Sequence, residues 1–216
     1  MNENQHWVSV WGNAVSVAEN RPERYAKDIT IRYPIHIPFG GTAVKLTFDN
    51  YCGTEPVTLN KTTVFYGGAF YKVAFGGENA VTIPAGEKAV SDPLTVKLNE
   101  GEVIQVSFYL KDFTLMRSVV YACGPLSEGL YANGDETENP HIDICTSRKT
   151  HLFYFLSNVS VLTDAENRSS SATATPSPLR TGPTTWPCGA SGRGITRLPS
   201  SAGPPPVPGF CGNTTA

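Results

Sequence analysis

Residues 6–162 repeat one pattern: short runs in which apolar and polar side chains alternate, rich in Val, Ile, Thr, Tyr and Phe and divided by Gly, Pro and Asn. A period of two is that of an extended strand with one face turned to a core. Val44, Leu46 and Phe48 alternate with Lys45, Thr47 and Asp49, and Leu94, Val96 and Leu98 alternate with Thr95, Lys97 and Asn99. The period recurs at Ile29 and Ile31, Val57 and Leu59, Val81 and Ile83, and along Ile104, Val106, Phe108 and Leu110. Further strands are predicted at 7–17, 119–123 and 151–162, and each strand is expected to have one buried and one wet face. Phe39-Gly40-Gly41, Gly67-Gly68, Gly76-Gly77, Pro84-Ala85-Gly86 and Asn99-Glu100-Gly101 supply the intervening turns. Residues 17–28, with two arginines and a proline and no apolar period, read as an ordered loop. Many short strands without a long helix predict an all-β fold. An antiparallel β-sandwich of jelly-roll type follows, because two half-apolar sheets bury their faces best against each other.

With 40% hydrophobic and 10% aromatic residues, 216 residues suffice for a real core. Seventeen basic against nineteen acidic residues leave a net charge of −2, without the basic excess that phosphate-backbone binding needs, so nucleic acid is not an expected partner. No apolar run reaches membrane-spanning length, and residues 1–6 lack the basic and apolar stretches of a signal peptide. No membrane partner and a cytoplasmic location are therefore expected. Cys52, Cys123, Cys145, Cys188 and Cys211 form no CxxC pair and stand at no metal-ligand spacing from a histidine, so they read as thiols, with neither a metal nor a cofactor expected.

After Glu166 the character changes. The last 50 residues contain no Asp, Glu or Lys, and nine of the chain's seventeen prolines stand there. Such a segment does not bury a core and is expected to be a disordered tail. The chain thus divides into a β-sandwich domain at 6–165 and a tail at 166–216.

Trp7-Val8-Ser9-Val10-Trp11-Gly12-Asn13, Arg21-Pro22-Glu23 and Tyr25-Ala26-Lys27-Asp28-Ile29-Thr30 carry a resemblance that continues through Leu46-Thr47-Phe48-Asp49-Asn50 and Gly53-Thr54-Glu55-Pro56-Val57-Thr58. It extends to Thr82-Ile83-Pro84-Ala85-Gly86-Glu87, Val106-Ser107-Phe108-Tyr109-Leu110, Asp112-Phe113-Thr114, Met116-Arg117-Ser118 and Phe153-Tyr154-Phe155-Leu156. Together these stretches resemble the amino-terminal region of bacterial two-domain GDSL-type (SGNH) esterases, over residues 7–168. The resemblance implies a non-catalytic β-domain followed at once by an α/β hydrolase domain, which opens on a strand ending in Gly-Asp-Ser with the serine as nucleophile. It implies as partners that catalytic domain and a carbohydrate or acyl ester substrate.

The expected Gly-Asp-Ser is absent from the written frame after Arg168, but the tail permits it one frame away. Joining the last base of each codon to the first two of the next, Ser171-Ala172-Thr173-Ala174-Thr175-Pro176-Ser177-Pro178 permits Cys-Tyr-Gly-Asp-Ser-Ile-Thr. Residues 179–189 continue it with Ala-Gln-Asp-Trp-Pro-Asp-Tyr-Leu-Ala-Leu-Arg, the nucleophile block and following helix that the resemblance implies. Serines 169 to 171, with TCN codons, supply NTC codons for an apolar strand end. The expectation is a change of reading frame that removes the catalytic domain, so that the chain as written is inactive.

Within the written chain no catalytic residue is expected: there is no GxSxG elbow, and His141-Ile142-Asp143 reads as a polar loop or strand end. Asp135, Glu136 and Glu138 read as a solvated turn, since no loop pattern fixes a ligand number for calcium. Trp7 and Trp11 share a face if their segment is extended, and an exposed pair of that kind could stack a sugar ring; core packing is the simpler role. Arg117, after Phe113 and Met116, is a candidate contact to the catalytic domain or its substrate on resemblance alone. The alternatives are a free carbohydrate-binding module or a structural β-domain on a Pro-rich stalk. An apolar patch left exposed is the sign that would favour an accessory domain.

Overall fold

The alternating runs form strands in the computed structural model, which describes residues 5–16, 24–122, 124, 126–142 and 148–164. In chain order the first strands are β1 (Gln5–Gly12), β2 (Tyr25–Ala26), β3 (Ile29–His36), β4 (Gly41–Asp49), β5 (Val57–Leu59), β6 (Lys61–Tyr66), β7 (Ala69–Val73) and β8 (Val81–Ile83). They continue with β9 (Lys88–Val90), β10 (Leu94–Leu98), β11 (Val103–Leu110), β12 (Thr114–Leu115) and β13 (Val119–Tyr121). The last are β14 (Gly129–Asn133), β15 (Arg148–Thr150), β16 (Leu152–Tyr154) and β17 (Leu156–Asp164). All belong to one compact unit, Met1–Ala174; the second unit, Thr175–Ala216, and with it most of the tail at 166–216, lies outside the described residues, as does the rest of the tail. No helix among the described residues is long and apolar enough to cross a membrane.

One sheet runs β1-β17-β4-β10, with β9 sharing the far edge of β4; the other runs β15-β14-β3-β11-β6-β7. Strand pairs within both are antiparallel. Ile31, Tyr33 and Ile35 of β3 and Val106 and Phe108 of β11 meet Val44, Leu46 and Phe48 of β4 and Val159 and Val161 of β17 in one apolar cluster. The fold is an antiparallel β-sandwich. Its alternating apolar residues are the two inner faces, and each large side chain so buried contributes about 1.5–3 kcal/mol before entropy is counted.

Tyr33 sits at the centre of this core. Its ring stacks on Phe153 with centroids 4.1 Å apart, and its hydroxyl donates to the Leu152 carbonyl at 3.0 Å while accepting from the Tyr154 amide at 2.8 Å. One phenol therefore satisfies two backbone groups of β16 that apolar packing alone would leave unpaired. Burial drives its pKa far above the ordinary phenol value, so it stays neutral in the folded chain.

The outer face of the six-stranded sheet departs from the expected wet face. Thr30, Arg32, Thr63 and Ser107 point away from the core yet are buried. Segment 134–142 lies over them: Thr30 donates to the Gly134 carbonyl at 2.6 Å, Arg32 to the Glu136 carbonyl at 3.0 Å and Thr63 to the Thr137 carbonyl at 2.8 Å. Polar residues on a sheet face are as well matched to a loop's backbone as to water, and alternation does not distinguish the two.

Three strand boundaries also differ. The first strand stops at Gly12, leaving a single bridge at Ser16 to Val119. Within 17–28, Tyr25–Ala26 forms the short β2 rather than loop, while 17–23 lie outside the described residues. The run at 151–162 is broken at Phe155, whose φ of 60° turns the chain from β16, paired with β13, into β17, paired with β4.

Candidate functional site

At the end of the sandwich where β4 finishes and β17 begins, backbone bonds tie several irregular segments together. Asn50, fully buried, donates through Nδ2 to the Glu55 carbonyl at 2.9 Å and the Ile83 carbonyl at 3.2 Å, and so fixes the loop at 50–56. Gly53 allows this, because a Cβ there would strike the Asn50 carboxamide. The loop presents Cys52, whose amide donates to Ser118 Oγ at 3.1 Å, and the Ser118 carbonyl in turn accepts from the Phe155 amide at 3.0 Å. Met116 donates its amide to the Arg24 carbonyl at 2.8 Å, joining β2 to the same end.

Arg117 stands half-buried in the middle of these links, between Met116 and Ser118. Four rings surround this region on separate segments and stay in solvent: Tyr25 is 50% exposed, Tyr51 72%, Phe113 72% and Tyr121 61%. Lys27 Nζ lies 4.9 Å from the Phe113 centroid, and Tyr25 donates to Glu55 Oε1 at 3.1 Å. Single exposed rings need no explanation. Here four stand on linked segments at one end of the sandwich. Sequence reasoning singled out Arg117 there but missed the rings; the available signal was that Tyr51 and Phe113 follow Asp49-Asn50 and Lys111-Asp112, outside any alternating run.

The Ser118 hydroxyl and Cys52 thiol of this end are not free to react, while Asn50 Oδ1 is buried without a hydrogen-bond partner. Ser118 is fully buried with its hydroxyl oxygen on the Cys52 amide. The Cys52 thiol is pushed up by burial and by Asp49, against the opposing pull of Arg117, and is thereby a poor nucleophile at neutral pH.

Trp7 and Trp11 do not share a face. The pairing of β1 with β17 shifts register between Ser9 and Trp11, a bulge that inserts Val10 and turns the following side chain over. Trp11 packs on the core with its centroid 5.8 Å from that of Phe153, whereas Trp7 lies on the outer face beneath Lys45, whose Nζ is 4.4 Å from its ring centroid. The flat pair on which a sugar ring could stack is therefore not formed: Trp11 packs on the core and Trp7 does not.

Asp135 and Glu138 turn to cations. Lys61 Nζ lies 3.2 Å from Asp135 and 3.5 Å from Glu138, and Lys72 reaches Glu138 at 3.7 Å. Among the described residues no three His, Cys, Asp or Glu side chains converge on a metal position. His141 is exposed, with its amide on Asn139 Oδ1 at 2.9 Å, and Asp143 lies outside the described residues, as do Cys123, Cys145, Cys188 and Cys211. At the opposite end of the sandwich Tyr66 donates to the Glu102 carboxylate and accepts from the Asn99 amide, a polar group of three that satisfies itself.

No family model matches this chain, and no curated protein matches it.

Proposed function

We propose that residues 6–165 are the non-catalytic β-domain of a GDSL-type (SGNH) serine esterase, and that the residues after Arg168 are read out of frame with respect to its catalytic domain. The observation that carries this reading is the run of shifted codons across 171–189. Trp186 adds a constraint without freedom: its one codon, TGG, followed by the CC of Pro187, makes the shifted codon GCC, an alanine, which suits the helix after the nucleophile. None of the shifted codons in that run is forced to be a stop.

The exposed rings around Arg117 support the same reading, because a domain evolved beside a partner leaves apolar surface when seen without it. The separation of Trp7 from Trp11 weighs against a free carbohydrate-binding module, which would want both rings on one surface. In the intact enzyme the restored serine would attack the ester carbonyl and water would release the acyl group, with nucleophile, base and oxyanion donors all supplied by the catalytic domain. The β-domain would contribute binding surface.

The gene sequence across the codons for residues 168–189 tests this directly. Codons that give Gly-Asp-Ser-Ile-Thr in the shifted frame support the proposal; codons that place a stop, Phe or Arg there overturn it. Restoring the frame should bring hydrolysis of short acyl esters where the 216-residue chain shows none above background.

A further inference from the structure

Beside the aromatic end, a cavity of about 160 Å³ opens between β2, β3, β14 and the β15–β16 turn. Its floor is aliphatic, formed by Ile29, Ile31, Met116 and Leu152. Its walls are aromatic, formed by Tyr25, Tyr131 and Tyr154, and Arg24 also lines it. We propose that this cavity binds a small aromatic carboxylate, with a benzene-sized ring between the tyrosines and the carboxylate toward Arg24.

Size and lining select the ring. An apolar cavity of about 150 Å³ is large enough to take benzene and stays dry when empty. A sugar of the same bulk would need several hydrogen-bonding partners, and the floor offers none; the Thr150 hydroxyl oxygen accepts from the Leu152 amide at 3.0 Å and has one proton left to donate. The walls are held before any ligand arrives: Tyr25 by Glu55, and Tyr131 beneath the Arg148 guanidinium, 4.8 Å from its centroid. Rings fixed in this way lose little freedom on binding. Charge selects the carboxylate, since Arg24 is the one charged residue among the described residues that line the cavity, and the Glu55 carboxylate is taken by the Tyr25 hydroxyl. The site is independent of the esterase reading and stands or falls without it.

Amide spectra of the ¹⁵N-labelled 216-residue chain, titrated separately with benzoate, benzyl alcohol and acetate, test the proposal. Benzoate should shift the amides of Ala26, Met116 and Leu152 saturably, benzyl alcohol should bind about three- to tenfold more weakly, and acetate should leave these signals in place. Arg24→Gln, at an exposed position, should reduce benzoate to the affinity of the alcohol while the spectrum stays dispersed. Absence of a saturable shift at the solubility limit of benzoate overturns the site. Benzoate shifts that Arg24→Gln leaves unchanged, or that acetate reproduces, overturn the assignment equally.

Discussion

Arg32 of β3 and Ser107 of β11 are direct cross-strand partners, and the guanidinium donates through Nε to the Ser107 hydroxyl at 2.7 Å on the outward face of the sheet. The remaining hydrogen bonds of the guanidinium go to carbonyls of the overlying segment, so one side chain joins two strands to the loop that covers them. Burial lowers the Arg32 pKa and Glu136 partly opposes this, yet an arginine so placed remains charged. Arg32→Ala should destabilise the chain by about 2–4 kcal/mol, because buried carbonyls lose their donor. Urea unfolding measures that loss, and amide exchange should speed up across 134–142 before the rest of the sheet. Ser107→Ala should cost less, about 1 kcal/mol.

Tyr33→Phe keeps the stacked ring and removes only the hydroxyl. The Leu152 carbonyl and Tyr154 amide then lack their partner in a dry core, and a loss of about 2–4 kcal/mol in urea unfolding is expected. A change below about 0.5 kcal/mol would mean that water reaches β16.

Tyr109 donates to Asp28 Oδ1 at 2.6 Å, and that hydrogen bond, followed by burial and nearby carboxylates, raises its pKa to about 12. The folded value lies above the unfolded one, near 10. The contribution is therefore complete below pH of about 10 and is lost as pH rises through about 12, because the unfolded chain gives up the proton first. Phenolate absorbance should show a late step near pH of about 12 that Tyr109→Phe removes, while Tyr33, held neutral by burial, titrates later still.

Gly129 faces the Tyr33 ring so closely that an added Cβ would stand 2.5 Å from its Cδ1. The ring is pinned by Phe153 on one side and by its two hydrogen bonds at the tip, so it has little room to give. Gly129→Ala should destabilise the chain by about 1–3 kcal/mol and weaken the edge formed by β14 and β15, seen as faster amide exchange there.

Period two was enough to locate the inner faces: Val44, Leu46 and Phe48, like Ile104, Val106, Phe108 and Leu110, are all buried as their alternation required. It was not enough for the outer ones. Arg32 and Ser107 read as solvent-facing because a polar side chain carries no mark that says whether water or a backbone carbonyl will meet it. The separation of Trp7 from Trp11 escaped for a different reason. A bulge changes the face of every later residue, and the one extra residue, Val10, is as good a strand former as its neighbours. The aromatic end was legible only in part, since Tyr25, Tyr51, Phe113 and Tyr121 are separated in sequence and are brought together by the bonds of Asn50 and Ser118.

The final described strand, β17, lies inside its sheet, with β1 on one side and β4 on the other. A ribosome therefore releases every other strand before it releases the one that completes the five-stranded sheet. Until then β1 and β4 have no common neighbour and the Phe48 face of the core stands open, a nascent state with exposed edges and apolar surface. Whatever codons follow Asp164, in either frame, first serve to carry this strand clear of the exit tunnel. A shift in frame downstream of Asp164 spares the sandwich, whereas the same shift upstream of Leu156 would leave β1 and β4 with nothing to join them.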